Sequence, residues 1–140
     1  RLNDIHKRYV PLVVKIAPDL DNDEINDIAQ RLLSAEIDGV IATNTTNSRP
    51  DTLQDQAVAR ETGGLSGAPM FELSTAILKQ LVIALDGRIP VIAAGGISSA
   101  EDAQRKLDAG ASLVQIYTGF IYSGPALVFD CSRALDISDI

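Results

Sequence analysis

The stretch IPVIAAGGISSAEDAQRKLDAGASLVQIYTGFIYSG, residues 89–124, constrains the fold more than any other part of the sequence. An apolar run ends in the glycine pair Gly95-Gly96. An amphipathic segment follows, and a second apolar run ends in Tyr117-Thr118-Gly119. The pattern predicts strand, glycine turn, helix, strand, glycine turn and helix start. Two such turns side by side bring backbone N–H groups and a helix N-terminus around one point, which suits a phosphate.

The remainder of the chain repeats the alternation. Residues 10–17 (VPLVVKIA) form a near-continuous apolar run and predict a strand buried on both faces, as in a parallel sheet. Asp21, Asn22, Asp23 and Glu24 open a helix, with Asp21 or Asn22 as the cap. Ile25, Ile28, Ala29, Leu32 and Leu33 make its apolar stripe. Residues 37–43 (IDGVIAT) predict the next strand. From 44 to 69 the chain is polar, glycine-rich and without periodicity, which marks a lid or binding loop. A helix is expected over 70–85, ended by Asp86-Gly87, and a strand over 89–94. Ser98 to Glu101 has the capping-box form, with Ala100, Ala103 and Leu107 facing inward. A strand over 112–117, a short helical piece at Thr118-Gly119, and a last helix from Pro125 to about Leu135 complete the order. Residues 136–140 read as a frayed tail.

The order β-α-β-loop-α-β-α-β-α predicts a parallel sheet. Four βα units can form a small open sheet or half of an eight-unit barrel. The unusual residues all follow the C-terminal end of a strand, where barrel active sites are built, so the half-barrel is the expected fold.

Composition narrows the function. Of 140 residues, 46% are hydrophobic and the net charge is −7 without a basic cluster, which argues against nucleic acid. No apolar run approaches the ~20 residues of a membrane span. One cysteine, Cys131, and one histidine, His6, exclude a disulfide framework and a multi-Cys or His-rich metal site. Cys131 reads as a packed small hydrophobe, His6 as exposed, and Asp19 and Asp21 as helix caps. The leader RLNDIHKRYV has no initiator Met and no signal-peptide pattern, and suggests that more chain precedes it.

Several residues can carry chemistry. Lys15 lies within the first apolar run. It is either a strand-end lysine that reaches water or a partnered cation that stabilises negative charge on a bound heterocycle. Thr43, Asn44, Thr45 and Thr46 follow the second strand. They are turn formers, or an amide and hydroxyls that clamp a planar substrate. The loop from Gly63 to Gly67 either needs positive φ or lies close against a flat ligand. Gly95-Gly96 with Tyr117-Thr118-Gly119 are simple tight turns, or the phosphate site that barrel enzymes build from such loops. They match neither the dinucleotide fingerprint nor the P-loop.

In this order and spacing, VVKIAPDL, DGVIATNTT, TGGLSG, PVIAAGGI and ASLVQIYTGFIYSGP resemble the C-terminal half of dihydroorotate dehydrogenase, in its quinone-linked, membrane-associated class. The likeness runs from about Val10 to Leu135. It implies an FMN-dependent (β/α)8 barrel that oxidises dihydroorotate to orotate in pyrimidine (UMP) biosynthesis and passes electrons to ubiquinone. Residues 1–140 would be the C-terminal half of that barrel, a TIM barrel. The resemblance places Lys15 at the N1 and O2 edge of the flavin ring. Thr43, Gly67 and Gly96 would contact FMN, Tyr117 and Thr118 would hold its phosphate, and Asn44 and Thr45 would bind orotate.

It also implies that the catalytic base, a serine, lies on a loop of the N-terminal half, and that the quinone channel is built by an N-terminal extension. Neither Ser48 nor Ser66 lies in the matching motif. The chain alone is therefore expected to be soluble and inactive, and to self-associate if it stands as a half-barrel. The intact protein would sit peripherally on the inner (cytoplasmic or mitochondrial) membrane. Two other readings remain: a non-redox phosphate-binding barrel of isomerase or aldolase type, and a non-catalytic half-barrel.

Overall fold

The computed structural model describes residue 5 and residues 7–134. His6, the end of the last helix at Leu135 and the tail over 136–140 lie outside the described residues.

The order is β1 (Val13–Ile16), α1 (Asn22–Ser34), β2 (Gly39–Ala42), α2 (Gln56–Ala59), a 3-10 turn (Ala68–Met70), α3 (Phe71–Leu85), β3 (Val91–Ala94), α4 (Ala100–Asp108), β4 (Leu113–Gln115), α5 (Thr118–Ser123) and α6 (Pro125–Ala134). The strands pair in sequence order, β1-β2-β3-β4, all parallel. An unreversed order is that of a barrel arc; a doubly wound sheet would change direction at a switch point. The four βα units of the expected half-barrel are therefore present, with strands shorter than their apolar runs.

One face of the sheet is closed. Ile16, Val40, Ala42, Val91 and Ala93 are buried on it, against Ile25, Ala29 and Leu32 of α1 and Ile77, Leu78, Leu81 and Leu85 of α3. Each fully buried large side chain contributes ~1.5–3 kcal/mol relative to exposure. The other face is open. Register places Lys15, Ile41, Ile92 and Leu113 in one cross-sheet row, and side-chain alternation adds Val13 and Gln115 to that face. Val13, Lys15, Leu113 and Gln115 are exposed. The expectation that the first strand is buried on both faces is thus corrected. Helices cover one face, and within the described residues nothing covers the side that a barrel turns inward.

Local chemistry explains the ends of the elements. Asp21 caps α1: its carboxylate accepts from Glu24 N, and the Glu24 carboxylate accepts from Asp21 N, both at 2.9 Å. At α3 the chain leaves through Asp86, in the left-handed region at φ 51°, and Gly87. The cap of α4 differs from expectation by one residue. Ser99 is the N-cap and accepts from Asp102 N, while the Asp102 carboxylate accepts from Ser98 N and Oγ. That shift turns the helix, so that its buried positions are Ala103 and Lys106, with Ala100 and Leu107 only half-buried.

Among the described residues one helical stretch, Ala68–Leu85, is long and apolar enough to cross a membrane, with mean hydropathy 1.4. Its apolar side is occupied by the sheet and α1. Cys131 is buried as expected, with Sγ 3.6 Å from Ser99 O, and burial pushes its thiol pKa up.

Candidate functional site

The C-terminal ends of the strands open into a cleft of about 630 Å³. That volume suits a cofactor-sized ligand. The eight residues that the resemblance places at cofactor or substrate line it: Lys15, Thr43, Asn44, Thr45, Gly67, Gly96, Tyr117 and Thr118; Thr46, Gly63 and Gly64 do not. Met70, Ala94, Ile97 and Ile116 supply apolar wall.

Lys15 enters from the open face of β1. It is exposed, not the buried strand cation expected, because its face of the sheet is uncovered. Its Nζ reaches Gln115 Oε1 at 3.5 Å, across the mouth of the sheet. Gln115 ends β4 on the same face and was not singled out from the sequence. The available signal was a polar residue near the end of an otherwise apolar strand, the same signal that marked Lys15.

Two neighbouring strands hold the backbone after β2. Thr43 N donates to Ala94 O at 2.9 Å, and Asn44 N donates to Ile16 O at 2.7 Å. Thr43 is buried, and its hydroxyl donates to Asn44 O at 2.9 Å. Asn44 and Thr45 are exposed to the cleft, and the Asn44 amide has no hydrogen-bond partner among the described residues. A rigid backbone thus presents a free amide.

The fourth residue of that run has a different task. Thr46 is buried and its hydroxyl donates to Asp19, which also accepts from Asn47 N at 3.0 Å and Ser48 Oγ at 3.2 Å. Asp19 therefore ties the β1 and β2 loops together, and only Asp21 caps a helix. The hydrogen bond from Thr46, with those from Asn47 and Ser48, holds the Asp19 carboxyl below its usual pKa. A depressed carboxylate contributes stability above its unfolded pKa of ~3.9 and loses it as pH falls through the lower folded value. Acidification below pH ~4 is therefore expected to release this tie. The protection of the Asn47 amide against hydrogen exchange, relative to its intrinsic rate, should fall there in the full-length protein and not in Asp19→Ala, where the tie is already broken.

The long loop is ordered by one side chain. Arg49 donates from Nε to Ala59 O at 2.8 Å and from Nη2 to Gly63 O at 2.6 Å, and also to the carbonyls of Asn47, Ser48 and Glu61. It thereby closes residues 47–63, including α2, which the sequence did not predict. Beyond it, a Cβ on Gly64 would collide with the Thr45 side chain. Close approach at that glycine is to the protein's own Thr45 side chain.

The turns after β3 and β4 line the same cleft. Thr118, at the start of α5, donates from Oγ1 to Ser66 Oγ at 3.1 Å, and Gly67 lies against its methyl group. Gly95 and Gly96 have φ of 109° and 79°. Their missing side chains accommodate α3: a Cβ on Gly95 would come within 2.9 Å of Ser74 Oγ, and one on Gly96 would strike the Phe71 backbone. Tyr117 is 80% exposed at the rim. Among the described residues no group of three His, Cys, Asp or Glu side chains is arranged to hold a metal.

The cleft therefore has an apolar waist, an ammonium and an amide at the β1–β2 side, and glycine turns with a hydroxyl at the β3–β4 side. That donor set and size fit a flat heterocycle with an anionic tail.

A family model for dihydroorotate dehydrogenase matches residues 2–137. The sequence is 56% identical over 135 residues to dihydroorotate dehydrogenase (quinone) of Janthinobacterium sp., covering 96% of this chain and 39% of that relative. It is 58% identical over 129 residues to the enzyme of the same description from Shewanella frigidimarina, covering 92% of this chain and 38% of the relative. The solved structure of a DHODH from Eimeria tenella in complex with ferulenol superposes with a TM-score of 0.86 at 41% identity, over 91% of this chain and 34% of that one. The chain spans about two fifths of the length of the curated relatives it matches.

Proposed function

The chain belongs to the dihydroorotate dehydrogenase family, and from that premise we propose that it is the C-terminal half of an FMN-binding barrel domain. The whole protein oxidises dihydroorotate to orotate in pyrimidine biosynthesis, delivers the electrons to a quinone and works at a membrane surface. The observation that carries this reading is the convergence of those eight positions on one cleft with apolar walls.

FMN, when bound, supplies the two-electron acceptor for the oxidation. The chain's own residues bind and orient. Lys15 puts a positive charge at the β1 side of the cleft, where it stabilises negative charge developing on the flavin ring. Asn44 and Thr45 hold the planar substrate through the free amide and hydroxyl. Gly96 and Thr118 each offer a backbone N–H to the phosphate, the Thr118 hydroxyl being committed to Ser66, with Gly67 and Tyr117 alongside. Thr43 acts mainly through Asn44, since its hydroxyl is already committed to the Asn44 carbonyl. Gln115 joins the set by steadying the Lys15 ammonium.

The proton-abstracting base is assigned to none of these residues. Ser48 is held by Asp19, and Ser66 accepts from Thr118. The base belongs to the remainder of the barrel, and these 140 residues alone do not turn over dihydroorotate.

The test is dihydroorotate-dependent reduction of a quinone by the full-length protein, compared with Lys15→Ala. A charged hydrogen bond contributes ~1.5–3 kcal/mol, so the variant should bind FMN about tenfold more weakly or reoxidise it correspondingly slowly. Unchanged FMN affinity together with unchanged turnover in Lys15→Ala would overturn the role given to Lys15. A full-length protein without this activity would overturn the function.

A further inference from the structure

Lys106 is the one wholly buried charged residue among the described positions, with 0% of its surface exposed. No carboxylate pairs with it there. Its Nζ instead lies 2.7 Å from Ser74 Oγ, 2.7 Å from Thr75 Oγ1 and 3.3 Å from Phe71 O, and 4.6 Å from the centre of the Phe71 ring. Three oxygens match the three N–H bonds of an ammonium, and the ring face adds a cation–π contact.

An ammonium has no acceptor, so Ser74 and Thr75 must both accept from it and turn their own hydrogens elsewhere. Thr75 has Phe71 O at 2.6 Å. Ser74 has Phe71 O at 3.1 Å and Gly95 O at 3.0 Å. Phe71 O already receives the Thr75 hydroxyl and Lys106, so the single Ser74 hydrogen goes to Gly95 O. The Gly95–Gly96 peptide is trans, which makes its C=O and N–H antiparallel. Holding Gly95 O against α3 therefore turns the Gly96 N–H away from α3, toward the cleft that both glycines line. That N–H has no acceptor among the described residues.

We propose that Lys106 and Ser74 are positioning residues that aim the Gly96 N–H at the phosphate of the bound cofactor. The inference rests on the FMN reading above and deepens it: the phosphate turn is held in its binding geometry by a buried ammonium beneath it. Burial lowers the Lys106 pKa to about 8, with Glu72 of α3 and Asp102 of α4 opposing the shift and Arg105 of α4 adding to it. Once neutral, the amine can itself accept from Ser74, and the hold on Gly95 O is relaxed. The phosphate (second pKa ~6) has already titrated in that range, so its own ionisation does not produce the effect.

Riboflavin, which lacks the phosphate, separates positioning from general packing. Apo full-length protein, Lys106→Met and Ser74→Ala should each be titrated with FMN and with riboflavin. The FMN dissociation constant is expected to rise about tenfold in both variants, as for one lost charge-assisted contact, while riboflavin binding stays within about twofold. FMN affinity of the unsubstituted protein should also fall as pH rises through about 8, and Lys106→Met should lack that step. Unchanged FMN affinity in a folded variant, or equal weakening of both flavins, overturns the inference. If Lys106→Met does not fold, Ser74→Ala decides by the same criterion. An unsubstituted protein that binds neither flavin overturns the FMN reading and this inference with it, an outcome distinct from a defect confined to the variants.

Discussion

Gly96→Ala is expected to be severely destabilising, since it combines a positive φ with a clash against backbone. Gly96 sits at φ 79°, where an L side chain costs ~1–2 kcal/mol. Its added Cβ would lie 2.5 Å from Phe71 N and 2.6 Å from Phe71 Cβ. Those atoms belong to the first turn of α3, which is anchored by Phe71, Leu78 and Leu81 in the core, so neither side can yield cheaply. Together the strain and overlap should cost about 4 kcal/mol or more, within the tail reserved for overpacking and forced backbone. Gly124→Ala is the matched control. It has φ 64° and ψ −160° and nothing within 4 Å of the added atom, so only the backbone term applies, ~1–3 kcal/mol. Urea unfolding of the full-length protein measures both. Equal losses in the two variants would show that the contact between α3 and the phosphate turn is not as tight as described.

Asn44→Ala should have the largest effect on chemistry with the least effect on the fold. The Asn44 backbone is fixed by its N–H to Ile16 O, whereas its amide makes no hydrogen bond among the described residues. Removing the amide therefore breaks nothing within the chain. It leaves substrate C=O and N–H groups unpaired in the closed site, which costs ~2–3 kcal/mol, or about 10²-fold in kcat/KM for dihydroorotate. FMN affinity and the unfolding midpoint should remain those of the unsubstituted protein. A variant with unchanged kcat/KM would remove Asn44 from the substrate site. A variant that also loses FMN would place the amide on the cofactor instead.

How far the sequence was legible depended on whether a feature was local. The four strands were visible as short apolar runs ending in polar or glycine residues, and α1 announced itself through Asp21 and Glu24 three residues apart. The candidate site was legible for the same reason: in a βα unit, the residues that follow the strands line one end of the sheet, where they share a cleft. What escaped was set by tertiary contact. Lys106 was not singled out from the sequence. It is buried because the α4 cap falls on Ser99 and because Ser74, Thr75 and Phe71 of a distant helix supply three oxygens. Asp19 resembled a helix cap, yet its partners lie 27 to 29 residues away. The short α2 had no periodicity to read and depends on Asp55 at its cap and Arg49 across the loop. The first strand was expected to be covered on both faces because its apolar run does not alternate clearly. Lys15 was the one residue in it that marked the open side.

The glycines carry a related lesson. Gly64, Gly95 and Gly96 were read either as turn glycines or as places where a ligand lies close to backbone. The structure shows that Thr45, Ser74 and Phe71 already demand them. Glycine at these turns first satisfies the packing of α3 and the loop; what it then offers a ligand is the backbone N–H left pointing outward.

The central claim is that this cleft belongs to an FMN site, and the cofactor content of the purified full-length protein tests it most directly. The account expects a yellow protein with a flavin absorbance spectrum that releases FMN on denaturation, one molecule per chain. A colourless protein that takes up no added FMN, or one that releases a different cofactor, would contradict it.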